Sequence, residues 1–333
     1  MAAASLSGLK PIVRQHSEVG VILIAVLLVI FFVATSGGRW NNSYNISTIL
    51  QITATLGLMT LGVALVIGTG EIDISVGSTF GIGALIYLYF AIRIDPVFAA
   101  MLAVAAGALI GAFNGYLITR TGTPSLIITL GTLMIFRGLA IALTSGFAFS
   151  VPYKERDGLT YFILGGENIF RAGSFSGVNT GFLWLIAGLV VLTIALKYTR
   201  FGNHLLAVGG SADSAHSRGI RVDRVKIKAF ILCGALAGLG GVLEAGKLGS
   251  ADGSMGRLME LQAIAACVLG GCVLAGGRIS LLGALIGVFV LSSIQSYLVV
   301  MAVKPQWFMV LLGVIVVAAA LGDRKLRHWA VRK

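Results

Sequence analysis

The sequence predicts an all-α, polytopic membrane helix bundle. Three observations carry that expectation. Hydrophobic residues make up 57% of the 333 positions and charged residues 11%, against about 45–50% and 25% in soluble domains. The mean hydropathy is +0.96, so the apolar excess runs through most of the length and leaves too little polar surface to coat a water-soluble body. The polar residues that remain fall in short segments between apolar runs, and the chain is read as one transmembrane domain, 1–333.

A spanning helix needs about 20 mainly apolar residues. Ten runs qualify: 18–35, 46–68, 75–92, 97–118, 125–143, 181–197, 227–243, 260–274, 281–300 and 307–322. The first has the look of a signal peptide, with Lys10 and Arg14 ahead and Ala34-Thr35-Ser36 behind. Nine further runs follow it, so it reads as an uncleaved span. An arrangement of eight spans is the alternative, with two weaker runs re-entrant.

The net charge of +12 fits either nucleic-acid binding or the positive-inside rule. Its placement between spans selects the second, and no nucleic-acid partner is expected. With N-terminus and C-terminus inside, 16 of the 25 basic residues are cytoplasmic and eight external, with Arg137 alone inside the membrane. Residues 144–180 then form the largest external loop. Residues 198–226 form the largest internal one, basic and containing GGSADSAHSRGIRV. Its small residues, closed by Gly219, suit a short surface helix with a left-handed cap.

The segments 61–85 and 264–288 share an apolar run, a glycine cluster, a polar break and a second glycine-rich run. Interrupted hydrophobic segments at matching places in two halves point to a transport pathway, and two pseudo-repeated halves are expected. Gly107, Gly111 and Gly115 form a ridge on one face of the fourth span, repeated by Gly234/Gly238 and Gly283/Gly287. Such small residues let helices approach closely where lipid supplies no hydrophobic drive.

Chemistry-bearing residues are few. Cys233, Cys267 and Cys272 lie in apolar stretches without a C-x-x-C, and the four histidines show no i, i+4 pair, so neither a disulfide framework nor a metal site is expected. Gly241-x4-Gly246-Lys247 imitates a phosphate-binding loop, but Leu248 stands where a hydroxyl must hold magnesium. No catalytic constellation is visible, so the chain is not read as an enzyme. Four residues are candidates for a polar path. Asp73 and Ser75 lie in GEIDISVGS, which is either a cytoplasmic turn or unwound backbone lining the path. Asn114 lies in GAFNGYL, where a bond across helices competes with a path role. Arg137 lies near mid-span, where a charge must face the bundle interior and meet an acidic or carbonyl partner.

GEIDISVGS, GAFNGYLI with TPSLIITLGTLMIFRGLA, AVGGSADSAHSRGIRVDRVKIKAF and ELQAIAACVLGGCVLAGG together resemble the permease subunits of ribose/xylose/arabinose-type sugar ABC importers. The resemblance covers about residues 45–320. It implies a bacterial inner-membrane importer with a second permease copy or paralogue, ATPase subunits and a periplasmic sugar-binding protein. ATP and magnesium would be held by the ATPase, with no cofactor on this chain. It also implies a coupling helix in the internal loop, at Gly209, Gly210, Asp213, Ala215, Gly219 and Ile220.

The sequence departs from the family pattern at Glu71, at 212–215, at Gln262 and at Cys267 and Cys272. Those departures leave the substrate open between a pentose or hexose and a nucleoside, branched amino acid or furanose-like signal molecule. A stand-alone secondary transporter is the reading from another class; it would need membrane carboxylates for a coupled ion, which are not evident.

Overall fold

The computed structural model describes residues 18–151, 164, 168–169 and 177–331. Lys10, Arg14, His16, Arg171 and the stretch 154–157 lie outside the described residues. The chain runs α1 (Glu18–Thr35), α2 (Ser43–Gly68), α3 (Val76–Ala91), α4 (Pro96–Thr121), α5 (Ser125–Leu143), β1 (Phe149–Ser150), β2 (Asn168–Ile169), β3 (Val178–Asn179), α6 (Gly181–Tyr198), α7 (Arg200–Gly210), α8 (Ala212–Ser217), α9 (Val222–Leu248), β4 (Ser250–Ala251), α10 (Met259–Leu269), α11 (Leu281–Val300) and α12 (Gln306–Val331).

All ten apolar runs are helices. Among the described residues six of them, α2, α4, α5, α6, α9 and α11, are long and apolar enough to cross a membrane. At 1.5 Å per residue α3 and α10 rise only about 24 and 17 Å, short of a hydrocarbon core of about 30 Å. Three of the expected runs change by five residues or more at an end, the tenth continuing past 322 to Val331. The eighth run stops at Leu269 rather than 274, because Gly271 takes φ +87° and turns the backbone out of the helix. The seventh starts earlier and ends later, at Val222 and Leu248, since charged residues at both ends remain helical where they reach water. Gly241, Gly246 and Lys247 therefore lie inside α9 and form no loop.

The centre of the bundle is α2. Leu56, Leu58, Leu61, Val63 and Leu65 point in different directions around it, yet all are buried, as required of a helix surrounded by others. It packs on α9, α11, α6 and α10. By contrast α5 and α6 expose most of their apolar residues, which is the surface left for lipid or another chain.

The α4–α9 seam is the most extensive helix pair, and glycine sets its geometry. The Gly107 and Gly234 backbones interlock, such that a Cβ on either would run into the other's carbonyl oxygen. One turn along, a Cβ on Gly111 would meet the Phe230 carbonyl, and on the next a Cβ on Gly115 would lie 2.9 Å from the Ile227 Cα. The same device recurs where Gly287 meets Ala266 across α10 and α11.

Short strands cap the side where α5 and α9 end. β1 pairs antiparallel with β4, Phe149 opposite Ala251. β2 pairs with β3, Asn168 opposite Asn179. The 198–226 segment is more ordered than a loop. The short surface helix is there as α8: the Ser211 hydroxyl accepts its Ser214 N–H at 3.2 Å, and Gly219 at φ +81° turns the chain away after it. The preceding helix α7 is an addition that the sequence reading lacked.

Replacing Gly111 by Leu forces the α4 and α9 backbones apart, at a cost of about 1–3 kcal/mol. The purified variant is expected to melt earlier in detergent and to give less monodisperse protein. Gly131→Leu on α5, where nothing lies within 4 Å of the added Cβ, is expected to behave as the parent.

Candidate translocation site and coupling surface

Between Gly68 and Val76 the chain leaves helical geometry, and its freed backbone groups find partners on neighbouring helices. The Ile72 N–H donates to the Ser125 hydroxyl at 3.1 Å, and the Thr129 hydroxyl donates to the Ile72 carbonyl at 3.4 Å. Asp73 accepts from the Ser75 N–H at 2.9 Å and from its hydroxyl at 2.6 Å. The Asn114 amide on α4 donates to the same Ser75 hydroxyl at 2.8 Å. Asp73, Ser75 and Asn114 thus form one network at the start of α3. All three are at most 1% exposed, so within this chain they join helices and do not face an open path.

Arg137 meets both kinds of partner that its position demands. Its Nη2 is 3.9 Å from Glu260 Oε2, and its Nη1 donates to the Ser254 carbonyl at 3.3 Å. Glu260 opens α10, accepts the Leu258 N–H at 3.2 Å, and lays its other oxygen against Gly77 in the first turn of α3. A carboxylate at a helix N-terminus is favourably placed in the helix dipole. Glu260 was missed as a site residue although it opens the ELQ motif. Only its spatial partner distinguishes it from an ordinary helix-start acid. Glu71, the other acid of the break, takes Lys226 at 2.5 Å, tying the break to the beginning of α9.

The second interrupted region, 270–280, lies against the first. The Gly277 N–H donates to the Gly68 carbonyl at 3.1 Å. The end of α7 sits on this contact: a Cβ on Gly209 would collide with the Gly68 carbonyl oxygen and the Gly277 nitrogen, and a Cβ on Gly276 would lie 2.8 Å from the Gly209 Cα. Two segments that resemble each other in sequence therefore meet at one point, against one end of the internal segment.

The candidate coupling residues divide by direction. Gly209 and Ala215 face inward, Ala215 being 3% exposed, and Ile220 is half-buried. Gly210, Asp213 and Gly219 are exposed, and nothing lies within 4 Å of a Cβ added at Gly210. The face open to another chain is thus narrower than the segment.

A bundle this apolar, with two interrupted regions meeting against the end of α7, is the build of a membrane-spanning transport component. The family described as "Branched-chain amino acid transport system / permease component" matches residues 45–320, and the chain belongs to it. The ribose import permease protein of Escherichia coli (strain K12) is 34% identical over 306 residues, covering 91% of this chain and 92% of that protein. The xylose transport system permease protein of the same strain is 29% identical over 377 aligned positions, covering 96% and 94%. The autoinducer 2 import system permease protein of Yersinia enterocolitica is 31% identical over 319 residues, covering 94% and 84%. No solved structure matches the chain. The protein is a multi-pass inner-membrane permease component of the ABC importer class rather than an enzyme, and components of this class work with an ATPase and a binding protein. The stand-alone secondary transporter is thereby set aside.

Removing one partner of a half-buried ion pair leaves the other charge uncompensated, at a cost of about 3 kcal/mol or more. Arg137→Leu and Glu260→Gln are each expected to lower the melting temperature of the purified protein. The double variant is expected to recover part of that loss, because both charges leave together. Simple additivity of the two losses would mean that the pair is not coupled.

Proposed function

We propose that this chain translocates a monosaccharide, a pentose or hexose, handed over by a periplasmic binding protein and driven by ATP hydrolysis on separate ATPase subunits. The observation that carries this reading is the likeness to ribose and xylose permeases over more than nine-tenths of the chain. Electrostatics supports it. Arg137 pairs with Glu260 and Lys226 with Glu71, so neither cation awaits a substrate carboxylate. A neutral polyhydroxyl compound needs hydroxyl, amide and backbone partners instead. The second reading, a furanose-like signal molecule, rests on the likeness to the autoinducer 2 permease. A nucleoside or branched amino acid is less well supported, the amino acid because it would bring a carboxylate.

In the proposed arrangement the chain makes ten passes, α3 and α10 completing theirs with the adjoining non-helical segments 69–75 and 270–280; both termini are cytoplasmic, 144–180 lies outside, and 198–226 is the cytoplasmic coupling segment. A second permease, identical or paralogous, completes the path. ATP and magnesium are held by the ATPase, which engages the end of α7 at Gly210, α8 at Asp213 and the turn at Gly219. ATPase closure then moves the end of α7 against Gly68 and Gly277. Both interrupted regions shift, and with them α3 and α11, a rigid-body switch between inward and outward states.

Proteoliposomes carrying this permease, its ATPase and its binding protein are expected to take up labelled ribose or xylose when ATP is supplied on the ATPase side, and not labelled leucine. Uptake of leucine but neither sugar would overturn the reading. Gly219→Leu places a side chain at φ +81°, a strain of about 1–2 kcal/mol. It is expected to insert normally but to bind its ATPase weakly and lose uptake.

A further inference from the structure

Largely within the 198–226 segment, on the flank of the Gly219 turn, the structure holds a basic cavity whose cations have no role in the transport reading. Arg200, His204, Arg221, Arg224 and Lys228 surround about 350 Å³, with Phe201, Ile220 and Val225 as its apolar wall and the Gly219 turn at its edge. That is within the range of small-ligand sites, about 300–1,000 Å³. No ion pair among the described residues involves any of the five. The nearest acid in sequence, Asp223, does not line the cavity. Four permanent cations and a histidine around one space repel one another unless an anion enters.

The depth of the cavity follows from the helices that form it. The 27 residues of α9 rise about 40 Å, about 10 Å more than the hydrocarbon core. Its apolar run begins at Ala229, so the turns bearing Arg224 and Lys228 stand at headgroup level. On the other wall α6 ends at Tyr198, 80% exposed, an aromatic residue suited to the membrane–water interface. Val191, Ile194 and Tyr198 form an exposed apolar stripe along α6 that runs to its last residue, two positions before the cavity residue Arg200.

We propose that this cavity binds the phosphate-bearing headgroup of an anionic phospholipid, with the acyl chains lying along the exposed stripe of α6. Basic pockets between helices at this depth suit such headgroups, and arginine offers a phosphate two parallel N–H donors. A soluble acidic segment of a partner protein would satisfy the cations but would make no use of the apolar stripe. In the proposed orientation the lipid belongs to the cytoplasmic leaflet, next to the coupling turn at Gly219.

Native mass spectrometry of the full-length purified permease tests this without ATP, ATPase or sugar, so it stands or falls apart from the transport reading. Phosphatidylglycerol is expected to bind at least about tenfold more tightly than phosphatidylcholine of the same acyl chains, and inorganic phosphate at millimolar concentration is expected to displace little of it. Arg221→Gln with Arg224→Gln is expected to erase that preference. Arg120→Gln, which removes a charge from an exposed position outside the cavity, is expected to keep it. Equal binding of the two lipids overturns the proposal and needs no variant to be informative. So does free phosphate that binds as well as the lipid, or a double variant that keeps its lipid preference while losing its ATPase in co-purification.

Discussion

The backbone bond from the Gly277 N–H to the Gly68 carbonyl joins two regions that a membrane helix bundle must otherwise keep apart. Non-helical backbone is tolerated at membrane depth only where protein or a water-filled cavity covers it. Here each interrupted region covers the other, and α7 covers both. The contact leaves no room for a Cβ at Gly209, so the end of the internal segment cannot move without disturbing its neighbours. In the proposed reading, movement at the ATPase-facing surface passes to the membrane helices through this lack of space.

The same economy governs the rest of the bundle. Lipid supplies no hydrophobic drive between helices, so α4 and α9 are held by close backbone approach along their glycines. Around the first interrupted region polar groups are joined to one another: Asp73 with Ser75, Asn114 with Ser75, Arg137 with Glu260, Glu71 with Lys226. These pairs connect the first interrupted region to α4, to α9 and, through Gly77, to the start of α10. The polar network and the glycine contacts thus converge on the beginning of α3.

Much of this was legible in the sequence, because lipid punishes errors in apolar length and glycine placement. The runs 18–35, 125–143 and 281–300 match helices residue for residue. The likeness of 61–85 to 264–288 marked both interruptions, and the left-handed turn at Gly219 was readable from its setting. The helix α7 was not, although Phe201, Leu205 and Val208 at i, i+4 and i+7 give it an amphipathic face; its glycines and charges suggested a loop. Arg137 was recognisable as a residue needing a partner, but Glu260 lies 123 positions away, and local sequence does not encode so distant a pairing. Nor does sequence show that Ala215 faces inward while Asp213 faces out.

Gly209 and Gly210 are adjacent in the chain and opposite in environment, so the most direct measurement compares alanine at each. In proteoliposomes with the partner ATPase and binding protein, Gly209→Ala is predicted to co-purify with the ATPase yet lose most ATP-driven sugar uptake, because the added methyl group pushes α7 off Gly68 and Gly277. Gly210→Ala, whose methyl group enters open space, is predicted to transport as the parent does. Equal uptake by the two variants would contradict the account.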